Sequence, residues 1–207
     1  MTVRTAESQA DLQLVWRLTH DVYVGEGYAT PRPDGMLRHY PHLDLIPQTV
    51  VFMVEDDAGR LLGSNSYTMD SPAGLHADDD FKDVIDDVRA ESRLAGKRLA
   101  GSWRIVTRPG CREQLAVAMQ LISATLAHAW GRPDRVDRVL FTFNPKHEGF
   151  YGRMLGLKTI AGPRQGRSVR GAPAILMRGE MSEMVARWER VVARRSSARL
   201  KPEPVAG

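Results

Sequence analysis

The stretch NPKHEGFYGRMLGL, residues 144–157, decides how this chain is read. It follows the apolar run VLFTF, residues 139–143, and precedes a second short run at 157–161. A strand that stops at Asn144-Pro145 stops where the backbone loses a donor, because proline has no N–H to give to a neighbouring strand. The residues after it place Phe150, Tyr151, Met154 and Leu155 at helical spacing and stop at Gly156, a residue type favoured just past a helix end. The unit reads as strand, short helix, strand, with the first strand leaving its ladder at its C-terminal end.

The same pattern reading extends outward. Residues 3–7 read as a strand, and Asp11 as the cap of a helix to about Val24, with Leu12, Val15, Trp16, Thr19 and Tyr23 on one face. Residues 25–47 form a long irregular segment rich in Pro and His. QTVVFMVE (48–55), a turn at 56–59 and residues 60–69 predict a β-hairpin. Asp78-Asp79-Asp80 caps a helix to about Leu94, SWRIVT (102–107) is the next strand, and 113–130 a buried helix. Strand 139–143, helix 147–155, strand 157–161, a basic glycine-rich loop 162–171 and strand 173–181 follow. Helix 182–195 and a frayed tail from Ala198 to Gly207 close the chain. Hairpins beside strand–helix–strand units predict an α+β fold: a central mixed sheet with helices on both faces. Residues 1–181 make the main domain, and 182–207 a basic helix with its tail.

Composition narrows the class. The chain has 207 residues, 43% hydrophobic and 26% charged, with a net charge of +4. Those values suit one globular domain. No apolar run reaches the length of a membrane span, and the N-terminus has no apolar signal core. Cys111 is the only cysteine, so no internal disulfide forms, which suits a reducing cytoplasm. His39 and His42 stand at i, i+3 without a third ligand, so no metal is expected. No DNA-reading motif accompanies the Arg-rich surface, and no nucleic-acid partner is expected.

The order of elements, with NPKHEGFYGRMLGL in place, resembles the GCN5-related N-acyltransferase superfamily. RLTHDVY (17–23), EGY (26–28), the acidic helix from Asp78 and SWRIVT followed by Arg108-Pro109 bring the likeness closer. They resemble long-chain N-acyl amino acid synthases of the FeeM type and acyl-homoserine-lactone synthases. The resemblance implies that strands 102–107 and 139–143 splay apart and that a thioester donor arm lies between them. It implies an acyl chain carried as an acyl-thioester cosubstrate, on acyl carrier protein or alternatively on CoA, and a small amine or amino acid as acceptor. No permanently bound cofactor is implied.

It also implies roles for particular residues. Backbone N–H groups at a bulge near Trp103-Arg104 polarise the carbonyl, and Tyr151 protonates the departing sulfur or is a packed aromatic. His147 relays a proton or caps a helix. Arg104 grips an acceptor carboxylate if it faces the cleft. Ser102, Tyr23, Tyr28, Asp44, Asn144 and Phe150 line the substrates. Arg108, Arg112, Arg132 and Lys146, with Arg135 and Arg138, present a basic surface to acyl carrier protein.

Two departures from the resembled pattern stand out. The phosphate-cradling loop of CoA enzymes needs small residues where this chain has Leu115 and Val117, which argues for the carrier-protein donor. The Glu of the resembled Glu-x-Ser-Arg motif falls at Gly101 in Gly101-Ser102-Trp103-Arg104, so the carboxylate is missing. Two rivals therefore accompany the acyltransferase reading: an acetyl-CoA-dependent acetyltransferase, and an inert acyl-binding module.

Overall fold

Ser8 starts the first helix. Its hydroxyl accepts the Asp11 N–H at 3.1 Å, and the Asp11 carboxylate accepts the Ser8 N–H at 3.1 Å. Asp11 is thus the third helical residue of a reciprocal capping box and not the cap that its position suggested. Its carboxylate also takes a hydrogen bond from Arg4 at 2.6 Å, which holds its pKa well below the usual carboxylate range.

The computed structural model describes residues 1–199. In chain order the elements are β1 Thr2–Thr5, α1 Gln9–Gly25, α2 Pro41–Asp44, β2 Thr49–Glu55, β3 Leu61–Met69, α3 Asp78–Leu94 and β4 Leu99–Thr107. Then come α4 Gln114–Trp130, β5 Arg138–Phe143, α5 Glu148–Leu155, β6 Lys158–Gln165, β7 Pro173–Glu180 and α6 Met181–Arg199. The expected frayed tail lies outside the described residues from position 200 onward.

The strands form one mixed sheet in the order β1-β2-β3-β4-β5-β7-β6, in which only β4 and β5 run parallel. Alternation along each strand sends Leu62, Ala100, Val139, Phe141 and Met177 to the core under α4 and α6. Val51, Met53, Leu61 and Val106 pack under α1, and Leu99, Leu140 and Leu176 under α3.

Several boundaries move. β4 begins at Leu99 because Leu99, Ala100 and Gly101 pair with Arg138, Val139 and Leu140. β6 continues to Gln165, through what reads as loop, by pairing Arg164 and Gln165 with β7 across a register shift. Ala77 is the cap residue of α3; Asp78 instead accepts the Leu75 N–H at 2.6 Å and binds Arg89 at 2.6 Å. Met181, Met184 and Trp188 of α6 lie in the main core, so the helix set apart at 182 shares its apolar face with the rest of the fold. No helix among the described residues is long and apolar enough to cross a membrane.

Candidate active site

β4 and β5 are hydrogen-bonded only up to Gly101 and Leu140. Beyond that point each keeps its outer neighbour: β4 stays on β3 as far as Thr107, and β5 stays on β7 as far as Phe143. The two parallel strands therefore part just beyond Gly101 and Leu140. A cavity of about 620 Å³ fills the gap, walled by residues 102–107 of β4 and by Thr142, Phe143 and Asn144. A second, almost filled apolar cavity of about 30 Å³ lies under α4 and α6, against Ile122, Leu126, Met181 and Met184. Ser102, Ile105, Phe143 and Tyr151 line both, so the two cavities adjoin across these four side chains.

A β-bulge shapes the β4 wall. Ser66 faces Trp103 and Ser64 faces Val106, so Asn65 alone opposes Arg104 and Ile105. Arg104 takes φ +54°, a left-handed value that costs a non-glycine residue about 1–3 kcal/mol. Simple alternation would put Trp103 and Arg104 on opposite faces. The bulge puts both on the α1 side, with the Arg104 guanidinium 4.5 Å over the Trp103 ring.

That guanidinium is already engaged. It donates to Asp44 Oδ1 at 2.6 Å, Asp44 Oδ2 at 2.9 Å and Ser66 Oγ at 2.7 Å. Trp16 Nε1 adds a 2.8 Å hydrogen bond to Asp44. Both charged side chains have no exposure to solvent. Two expectations change as a result. The fork expected to grip an acceptor carboxylate grips Asp44, and Asp44, expected to line the substrate, lies behind the wall as the counter-ion.

The remaining residues divide. Tyr23, Tyr28, Asn144, His147 and Tyr151 all line the large cavity. Tyr23 meets Tyr28 edge-on at 5.8 Å, and burial pushes its phenol up to about 12. Tyr151 stacks on Phe143 at 4.0 Å, and burial pushes its phenol up to about 12 as well, so it stays protonated at neutral pH. His147 sits exposed at the rim; partial desolvation and then Lys146 lower its pKa. Asn144 Oδ1 accepts the Lys146 N–H at 3.1 Å and so starts the turn into α5. The Trp103 indole donates to Thr68 at 2.9 Å. Ser102 exchanges hydrogen bonds with Asn65, which also donates to Thr125 at 2.8 Å. Phe150 is 36% exposed and lines neither cavity; its ring meets that of Tyr151 edge-on at 5.0 Å from the outer side.

The expected basic surface splits in two. β4 and β5 run parallel, so α4 carries the chain back from the end of β4 to the start of β5. Arg108, Arg112 and Lys146 are at the open end of the slot, whereas Arg132, Arg135 and Arg138 are at the opposite end of the sheet. Arg132 binds Asp134 at 2.8 Å, and the buried Arg138 binds Glu91 at 2.8 Å and Glu180 at 3.1 Å. At the open end Arg108 donates to the Leu61 carbonyl at 2.7 Å, Lys146 pairs with Glu26 at 2.7 Å, and Arg112 is exposed. Val117 faces the core, and Leu115 is exposed. Of the two side chains expected to obstruct a phosphate, only Leu115 lies on the surface.

Sequence reasoning missed His39, Tyr40 and His76, all buried and all lining the large cavity. Tyr40 meets the Trp103 ring edge-on at 5.4 Å, and His76 stacks on it at 6.2 Å. For His39 and Tyr40 the only signal was the density of His and aromatic residues in the segment 25–47, which reads equally as an irregular loop; His76 lies outside that segment and carried none. Among the described residues no three metal-ligating side chains come together.

Residues 14–180 match the family model described as N-acyl amino acid synthase FeeM. Among solved structures the fold is similar to that of FeeM, an N-acyl amino acid synthase from uncultured soil microbes. The TM-score is 0.75 at 23% identity, over 90% of this chain and 93% of that one. It is also similar to the AHL synthase LasI, with TM-score 0.60 at 14% identity over 87% and 89% of the two chains. For the CoA-dependent acyl-homoserine lactone synthase BjaI the values are 0.59, 14%, 89% and 83%. At these identities the structural likenesses establish the fold. No curated protein matches the chain by sequence.

Proposed function

The chain belongs to the FeeM family of N-acyl amino acid synthases and is an N-acyltransferase, and from that premise we propose that it moves a long acyl chain from acyl carrier protein to an amino acid. The observation that carries the reading is the end of β4–β5 pairing at Gly101 and Leu140, with a cavity that continues between the strands. A pantetheine arm is linear and polar and fits such a slot. The alkyl chain passes Ser102, Ile105 and Phe143 toward the apolar space under α4, which opens to it as the flexible Met181 and Met184 side chains move aside, and burial there contributes about 0.8 kcal/mol per methylene. The acceptor approaches from the Tyr23, Tyr28 and Trp103 side.

Positioning supplies most of the acceleration. Beyond Gly101 the β5-facing edge of β4 has no strand partner, so its N–H groups are available to polarise the thioester carbonyl. Tyr151, kept as a phenol by burial, donates a hydrogen bond to the departing sulfur. His147 connects that end of the slot to solvent.

For the donor, the N-terminus of α4 is capped by Glu113 with no side-chain hydrogen bond, and exposed Leu115 follows. A carboxylate and an isobutyl group at that terminus oppose a CoA pyrophosphate. Arg108 and Arg112 stand beside the slot mouth for an acidic carrier protein, with Lys146 on its other side. An acetyl-CoA donor is the second reading, since BjaI of the same fold is a CoA-dependent enzyme.

Mass spectrometry of N-acyl products, after incubation with acyl carrier protein loaded with several chain lengths and pooled amino acids, tests the assignment. Products are expected from long-chain carrier thioesters and not from acetyl-CoA; the reverse pattern exchanges the two readings. Tyr151→Phe is expected to lower turnover by about tenfold or more, and unchanged turnover removes Tyr151 from the role given to it.

A further inference from the structure

Seven described residues carry a buried side-chain nitrogen or oxygen without a hydrogen-bond partner. Four of the seven, Tyr28, His39, His76 and Arg104, line the large cavity. Leaving such a group unpaired costs about 1–3 kcal/mol. Their convergence on one wall marks where a polar ligand completes the site.

His76 has the most informative place among them. Both of its ring nitrogens lack partners, the residue is 1% exposed, and its ring stacks on Trp103. It also lies against Gly101, the last β4 residue paired to β5 before the strands part. A Cβ built on Gly101 would stand 2.8 Å from His76 Nδ1 and 2.9 Å from Cε1. The imidazole thus occupies the space that a side chain at position 101 would enter. That is the position at which the resembled families carry a carboxylate and this chain carries none.

We propose that His76 accepts the proton released by the attacking amine, filling chemically as well as sterically the place of the side chain that residue 101 lacks. The inference rests on the acyl-transfer reading above. The amine lone pair forms the C–N bond, and the C–S bond breaks with its electron pair on sulfur. One N–H proton passes to His76, and the sulfur gains one proton at the Tyr151 end of the slot. Solvent in the slot takes the proton from His76 and replaces the one given up at Tyr151, so the net change is thioester plus amine to amide plus thiol, with neither an oxidant nor a reductant.

The surroundings favour His76 over His39. Burial lowers both imidazoles to about 3, so both stand neutral with an unshared ring-nitrogen pair, and which of them takes a proton is decided by the charges around it. Arg104 then opposes a positive charge on His39, whereas Asp78 supports one on His76. Asp78 is itself held by Arg89 at 2.6 Å.

The test uses the full chain, its preferred acyl thioester and pooled amino acids. His76→Gln keeps most of the side-chain volume and is expected to lower kcat at least about a hundredfold, with the KM for the thioester changed less than about threefold. His76→Ala is expected to lose as much and to regain at least about tenfold with added imidazole, but not with pyrrole, which has the same shape and no basic nitrogen. A kcat within about threefold of the unmutated protein in His76→Gln overturns the proposal, as does equal rescue by pyrrole. Absence of product from the unmutated protein is a separate outcome: it overturns the acyl-transfer reading and this inference with it.

Discussion

Asp44→Ala is expected to destabilise the protein by about 3–5 kcal/mol, measured as the free energy of unfolding in urea. Among the described residues the carboxylate is the only counter-charge within ion-pair distance of Arg104, and both side chains are completely buried. Removing it leaves a guanidinium in the interior without compensation, and it also strips Trp16 Nε1 of its acceptor. The same loss frees a strained residue: the left-handed Arg104 is held in the bulge by that ion pair and by Ser66. Activity should therefore fall together with stability, because the bulge sets the β4 wall of the slot. Pairing Arg104→Met with Asp44→Asn removes both charges and keeps an acceptor for Trp16. The double variant should be less destabilised than Asp44→Ala alone. A loss below about 1 kcal/mol for Asp44→Ala would show that the pair does not hold the bulge.

Ile105→Trp is expected to reduce transfer of long acyl chains by on the order of a hundredfold, the effect of misplacing the reacting atoms by about an ångström. Ile105 lines both cavities and is only half-buried, so an indole there enters the passage more readily than it disrupts the core. Transfer of a two-carbon chain should be affected far less, because the acetyl methyl group does not need the space under α4. The comparison is made by measuring kcat/KM over donors of increasing length, with the unfolding midpoint as control. An equal fall for short and long chains would place the alkyl chain elsewhere.

The fold was legible because its signals are local and periodic. The strand stopping at Asn144-Pro145, the helix ending at Gly156 and the hairpin over residues 48–69 each follow from a few adjacent residues, and the parting of two parallel strands follows from the likeness those residues carry. What stayed hidden depends on distance in sequence. Nothing in the chain couples Asp44 to Arg104, sixty positions apart, and a bulge is needed before Arg104 can turn to the side of Trp103. His76 reads as a loop residue until the gap over Gly101 is seen from the other side. The basic cluster looked continuous because sequence proximity hides the crossover: α4 puts Arg132 at one end of the sheet and Arg112 at the other. Asp11 and Ser8 show the smaller version of the same problem, since either residue type can open a helix and only the reciprocal hydrogen bonds assign the cap.

The central claim is that the thioester arm lies between β4 and β5 with its alkyl chain under α4. A crystal structure with dodecyl-pantetheine, a thioether that cannot transfer its chain, tests it most directly. The account predicts the arm between residues 102–107 and 141–143, the sulfur facing Tyr151, and the alkyl chain among Ile122, Leu126 and Met184. An empty slot, with the ligand bound on the α1 side or on the outer surface, would contradict it.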